Sequence, residues 1–459
     1  MDYRFYIVGI GITILVSILA FRRILYVKRI DFLVLSLGSI ALFHGVFLIL
    51  SLKTKYFGLL SLKLPDITLY GDYIWIYFII VMLFSISAFL GGIFPVSQKR
   101  YLHKTLNFQV AFKLAIGGWL LLCISIASYW LYSQAYGGFI SLWANALYLR
   151  AGLLGSGPDV NPWSFLGKLG GLSFVASFAF WAIIMAFPRH KFAFFATSVV
   201  GFIISSIFSL YVIYTWFSRS HFIFYVMAFI FSYYVYKDRL RLEKREFFRI
   251  VFVILVMFVL FYAISIKTKG IIYAEFIERF KFDTNVRIRP LFVLLDSPEY
   301  RWFQDIIYIP IYFLPQRLWR ENFVTASDVI TIKMMGGRKG EADVTGAMVI
   351  GIVPLSFMQC SVIGVVILGL LWGVFLKFID VWFLTKLPPG FGEIMYAYVA
   401  FRFVVSSVWN AGPQVVIYNH IDVIIGMVFM FTILKLRLFR RRYSHASTPS
   451  YPQFRPWWS

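Results

Sequence analysis

Charge is scarce in this chain, and acid is scarcer still. Only 14% of the 459 residues are charged, and 21 Asp and Glu stand against 44 Lys and Arg. A water-soluble domain carries about a quarter charged residues, so a soluble fold is the first exclusion. Cysteine is nearly missing. Cys123 and Cys360 lie in apolar surroundings without metal-ligand spacing, and read as small core residues. There is no Gly-rich nucleotide loop in a strand–helix context, no HExxH and no GxSxG. The "GGRKGE" at 336–341 lacks P-loop spacing and a following Ser or Thr. The six histidines are scattered. No metal site and no cofactor is expected, and any reaction must draw on a substrate that is already activated.

What remains is apolar. Hydrophobic residues make up 60% of the sequence, and the mean hydropathy is +0.79. An apolar run of about 20 residues crosses the hydrocarbon as a helix. Such runs fall near 5–21, 30–51, 73–95, 108–131, 165–187, 192–216, 220–236, 249–266, 359–383, 391–409 and 419–436. The fold class is therefore all-α, a polytopic membrane protein of about eleven spans. The first run has Arg22 and Arg23 after it and no small-residue cleavage site, so it is expected to be a retained helix.

The formal net charge of +23 does not point to nucleic acid, because the cations sit in short connectors between apolar runs. Alternate connectors are basic, among them "FRRILYVKR" (21–29), "QKRYLHK" (98–104) and "KLRLFRRRY" (435–443). The positive-inside rule places this set in the cytoplasm, the N-terminus outside and the C-terminus inside. The chain then divides into spans over 1–266, with a smaller outer loop at 132–164, and a large outer segment at 267–358 with interfacial or re-entrant pieces. Further spans fill 359–442, and a short cytoplasmic tail covers 443–459. The part from 267 to 345 holds 12 Lys and Arg and 10 Asp and Glu, and it is rich in Leu, Ile, Phe, Tyr and Trp from 291 to 319. A loop that long and that apolar is expected to be an ordered, functional lobe.

Arginine on the outer side is the clearest chemical signal: Arg150, Arg279, Arg287, Arg289, Arg301, Arg317, Arg320 and Arg338. A guanidinium is a planar, permanent cation whose fork fits phosphate and pyrophosphate. Arg150 follows "LWANALYL", and Arg317 and Arg320 lie in "YIPIYFLPQRLWREN" (308–322), where Pro310 and Pro315 break a helix. Some of these arginines are expected to pair with neighbours, as Arg301 can with Glu299 or Asp305. Arg402 stands in mid-span in "EIMYAYVAFRFVVSSVWNAG", and a charge at that depth is a functional candidate or a tether to a carbonyl or carboxylate. His420, in "IYNHID" with Asp422, is the best-placed general base. His44 is expected to be a satisfied core histidine, and Lys113 to snorkel.

From about 290 to 375 the sequence resembles the Wzy-type oligosaccharide repeat-unit polymerases, the O-antigen and capsule polymerase family. The residues that carry the resemblance are "EYRWFQDIIYIPIYFLPQRLWREN" (299–322) and "TGAMVIGIVPLSFMQCSVIGVVILGLLWG" (345–373). The resemblance implies a metal-independent glycosyltransferase. Its substrate would be oligosaccharide units on undecaprenyl pyrophosphate, at the outer leaflet of a bacterial cytoplasmic membrane, with a chain-length regulator and a flippase as further partners. For such a substrate, the arginine forks expected to bind the pyrophosphate are Arg150, Arg317, Arg320 and Arg402, with Arg287, Arg289 and Arg301 as secondary candidates. The Pro-broken stretch would lie against the lipid tail or the membrane surface. An O-antigen ligase, a lipid-linked oligosaccharide flippase and an assembly scaffold are the alternatives.

Overall fold

A computed structural model describes residues 3–51, 67–94, 105–146, 149, 161–187, 192–216, 219–237, 286–314, 318–319, 323–338 and 348–436. All regular elements among the described residues are helical. Among the described residues, eight helices are long and apolar enough to cross a bilayer. These are α1 (Tyr3–Val27), α2 (Phe32–Leu50), α3 (Leu69–Ile93), α4 (Phe108–Gln134), α5 (Leu166–Ala186), α6 (Phe192–Thr215), and further along α10 (Ile352–Lys386) and α12 (Pro413–Lys435). Between them lie α7 (Arg219–Tyr236), α8 (286–296), α9 (Ala326–Met335) and α11 (Phe391–Val399), the last continued by a π turn at Ala400–Val405. The chain is thus an all-α, multi-pass membrane protein. The expected spans at 220–236 and 391–409 are the shorter α7 and α11, and the one at 249–266 lies outside the described residues. Outward faces are apolar, with Ile7, Ile10, Ile14 and Ile18 of α1 and Ile203 and Ile207 of α6 exposed, the inverse of a soluble bundle.

Local chemistry sets the helix starts. Asp31 and Asn107 accept from the backbone N–H of Val34 (3.0 Å) and Val110 (2.9 Å), the N-caps of α2 and α4. Thr325 and Asp328 form a capping box at α9, and Pro413 opens α12 where its missing N–H costs nothing. Small residues set the closest helix pair. A Cβ on Gly373 of α10 would meet the Ala88 carbonyl at 2.0 Å, and one on Gly91 of α3 would meet the Leu370 carbonyl at 2.1 Å. With Ser87 against Gly369 as well, the two helices run parallel with their backbones in contact.

Within the outer segment expected to reach 358 with interfacial or re-entrant pieces, helix begins at Ile352. α10 breaks at Cys360 and Ser361, where Ser361 has φ 53°. The break turns the chain back on itself, so that the Ser356 carbonyl abuts Gly364. Residues 352–359, all buried, form the floor beneath a lobe made of α8, α9 and two short helices, Gln304–Ile307 and Ile309–Phe313. One carboxylate joins lobe to floor. Asp305 accepts from Arg301 Nε at 2.5 Å, from the Ala326 N–H at 3.0 Å and from Gln359 Nε2 at 3.1 Å. Arg301 also donates to the Val324 carbonyl.

Part of the Pro-broken stretch turns inward rather than toward lipid. Tyr312 and Trp319 are buried with Ile417 of α12, while Ile307, Leu314 and Leu318 face out. Burial and the nearby Asp305 carboxylate push the Tyr312 phenol above its ordinary pKa.

Candidate functional site

The bundle end that carries the lobe is where α5 and α12 begin and where α11 is interrupted. A π turn widens the helix by one residue and disturbs its carbonyl ladder, and such turns recur at functional positions. Here Ser406 Oγ donates to the Arg402 carbonyl and Ser407 Oγ to the Phe403 carbonyl at 2.7 Å. The Arg402 side chain is only 5% exposed. One of its nitrogens donates to the Asn419 carbonyl of α12 at 2.8 Å, and Nε has no hydrogen-bond partner among the described residues.

Two residues that the sequence did not single out as ligands complete the cluster. Lys168, at the start of α5, places Nζ 4.1 Å from the Tyr418 ring centre and 5.5 Å from that of Trp216. Aromatic faces hold a cation in place without neutralising it. Asp422, 2% exposed on α12, accepts from its neighbour's N–H (Val423, 2.9 Å) through Oδ1, while Oδ2 has no partner among the described residues. Both cations are within electrostatic reach of this carboxylate, yet neither is within the 4.0 Å of a direct ion pair. Two cations and one carboxylate, walled by Tyr398, Tyr418 and Trp216, leave an excess of positive charge in a low-dielectric setting.

The expected base is otherwise engaged. His420 Nδ1 lies 2.6 Å from the Val416 carbonyl and Nε2 lies 3.1 Å from the Arg402 carbonyl. A neutral imidazole donates through only one nitrogen, so one of these contacts is a hydrogen bond and the other nitrogen's lone pair points at a carbonyl oxygen instead of at a substrate. In this geometry His420 ties α11 to α12, and Asp422 Oδ2 is a buried acceptor without a hydrogen-bond partner among the described residues.

The other candidates divide clearly. Arg287 sits between the rings of Trp409 (5.2 Å) and Phe43 (5.9 Å), so α8 brings it to the segment that carries Arg402, further out along α11. Arg289 is buried on the same helix near the Tyr70 phenol. Arg301 does not join this group, because Asp305 and the Val324 carbonyl occupy its guanidinium. Arg150, Arg317 and Arg320 lie outside the described residues. His44 and Lys113 behave as expected. His44 Nδ1 is 2.7 Å from the Tyr77 hydroxyl, and Lys113 Nζ donates to the Leu434 carbonyl at 2.8 Å.

Comparison with models of protein families, with curated proteins and with solved structures gives no match.

Proposed function

We propose that the chain is a metal-independent membrane glycosyltransferase that polymerises oligosaccharide units carried on undecaprenyl pyrophosphate. It would work at the outer leaflet of a bacterial cytoplasmic membrane, N-terminus outside and C-terminus inside. A flippase would supply its substrate, and a chain-length regulator would limit its product. The observation that carries this reading is the buried, under-neutralised cluster of Arg402, Lys168 and Asp422 at the bundle end that bears the lobe. A pyrophosphate supplies the negative charge that this cluster lacks, and a guanidinium beside an ammonium suits it.

In this reading the donor pyrophosphate lies against Arg402 and Lys168, and the acceptor sugar hydroxyl is brought to the Asp422 carboxylate. The hydroxyl proton passes to Asp422 as its oxygen attacks the donor's anomeric carbon. The bond from that carbon to the pyrophosphate oxygen breaks, and the carrier leaves with the negative charge that the two cations stabilise. The orientation of the basic connectors and the likeness of 299–322 and 345–373 to the polymerases support the same reading. The test is purified protein with a single lipid-linked repeat unit. A ladder of products that depends on Asp422 is expected. Unchanged lipid would overturn the reading, and transfer only to an added lipid A core would replace it with a ligase.

A further inference from the structure

At the opposite end of the bundle a second charged cluster is buried between α1, α2, α10 and α11. Arg23 is 1% exposed and donates through Nε to Asp31 Oδ2 at 2.9 Å, while Asp31 Oδ1 caps α2. Arg29 pairs with Asp380 Oδ2, and Asp380 Oδ1 accepts from the Tyr396 hydroxyl at 2.9 Å. Burial opposes the charge on Arg29, but Asp380, Tyr396 and Asp31 outweigh it and hold its pKa above the ordinary arginine value. Every oxygen of the two carboxylates therefore already accepts a hydrogen bond.

Lys377 of α10 is the third cation. It is 6% exposed and lies within electrostatic reach of Arg23, Arg29, Asp31 and Asp380, yet it forms no ion pair within 4.0 Å with either carboxylate. Arg29 Nε is also buried without a partner among the described residues. Three cations against two carboxylates leave one positive charge in excess, and leave Arg29 Nε without an acceptor among the described residues. Burying such a charge is costly unless an anion meets it. The cluster reaches the surface along Arg29, whose side chain is 29% exposed. It lies level with the N-cap of α2, where that apolar helix begins.

We infer that Lys377 and Arg29 form a binding site for a phosphate group, occupied by the headgroup phosphate of an anionic phospholipid. This site is separate from the transfer site, and its failure would leave the proposed function untouched. A phosphodiester offers several oxygens to a guanidinium edge and an ammonium together. A polar headgroup beside the phosphate stays in water, while the acyl chains lie along the apolar outer faces of α1 and α10.

The test uses purified full-length protein in a maltoside detergent free of phosphate. It is titrated with phosphatidylglycerol or with inorganic phosphate, and read by Tm and by lipid retained in native mass spectra. Wild type should gain Tm with phosphatidylglycerol and keep one lipid bound. Lys377→Met keeps the length of the side chain and removes the unmet charge. It should match or exceed wild type in Tm without lipid, and should lose both the lipid-dependent gain and the retained lipid. If inorganic phosphate alone gives the whole Lys377-dependent gain, the phosphate site stands and its source is free phosphate. A Lys377→Met variant that keeps the full response, or a wild type that answers to neither probe, would overturn the inference.

Discussion

Gly171 of α5 presses against Asp422 of α12 so closely that a Cβ at position 171 would lie 1.8 Å from Oδ2 and 2.6 Å from Cγ. The backbone of Gly171 is ordinary helix (φ −68°, ψ −11°), so space, not conformation, demands glycine here. The contact is made through Oδ2 itself, and it keeps α5, which carries Lys168, beside α12.

Gly171→Ala should therefore act on Asp422. Overpacking of this kind costs about 1–3 kcal/mol, and the carboxylate must move. Turnover of a lipid-linked unit should fall sharply at matched folded yield. Adding Asp422→Ala should restore Tm, because it clears the clash, but should not restore turnover. Recovery of both would show that Asp422 is only a packing residue.

A different signature is expected in the lobe. Arg301→Ala leaves the buried Asp305 carboxylate without its cation, a loss of about 3–5 kcal/mol for a broken buried pair. The lobe should become sensitive to limited proteolysis near 297–300, where the chain is exposed. Arg301→Met combined with Asp305→Asn should recover most of that resistance, since no unpaired charge remains. Equal sensitivity in the single and double variants would count against the ion pair as the staple.

Orientation is open to direct labelling. With Cys123 and Cys360 replaced, single cysteines at Glu299 in the lobe and at Lys386 at the end of α10 should react with a membrane-impermeant reagent from opposite sides. Glu299 should be labelled from outside. Reaction of both from the same side would refute the assignment.

Most of the helical frame could be read from the sequence because spans are long, continuous and apolar, and because caps such as Asp31 and Asn107 act within three residues. The site was readable only in part. Arg402 stood out as a lone charge in a span, whereas Lys168 looked like a residue at a span's edge. Its meaning comes from Tyr418 and Trp216, brought to it by two other helices. Asp422 was noticed only as a companion of His420. Which of the two is free depends on the Val416 and Arg402 carbonyls that face the imidazole. Arg23 and Arg29 counted as orientation signals, since a basic connector does not reveal that two of its charges fold back onto Asp31 and Asp380. The break at Cys360–Ser361 had no proline to announce it. The close approach of Ser356 to Gly364 is a tertiary contact that local sequence does not encode.

The sharpest prediction separates the two cations of the site from ordinary surface charge. Arg402 spends one nitrogen on the Asn419 carbonyl and keeps Nε free. A lysine at 402 cannot span both roles with one point charge, so Arg402→Lys should remain poor. Lys168→Met keeps the length of the side chain against Tyr418 and Trp216 but removes the charge. Each change should lower turnover by about 10²–10³-fold, the scale of a lost transition-state donor, which is roughly 3–4 kcal/mol. The effect should fall on kcat more than on KM if the charge meets the leaving pyrophosphate in the transition state. Lys333→Ala is the comparison. Its ammonium binds Ser297 and lies 3.5 Å from the half-exposed Glu299 on the lobe surface, so it should keep turnover near wild type. If Arg402→Lys and Lys168→Met turn over normally while Lys333→Ala does not, the leaving group is met elsewhere, and the cluster of Arg402, Lys168 and Asp422 only holds α5, α11 and α12 together.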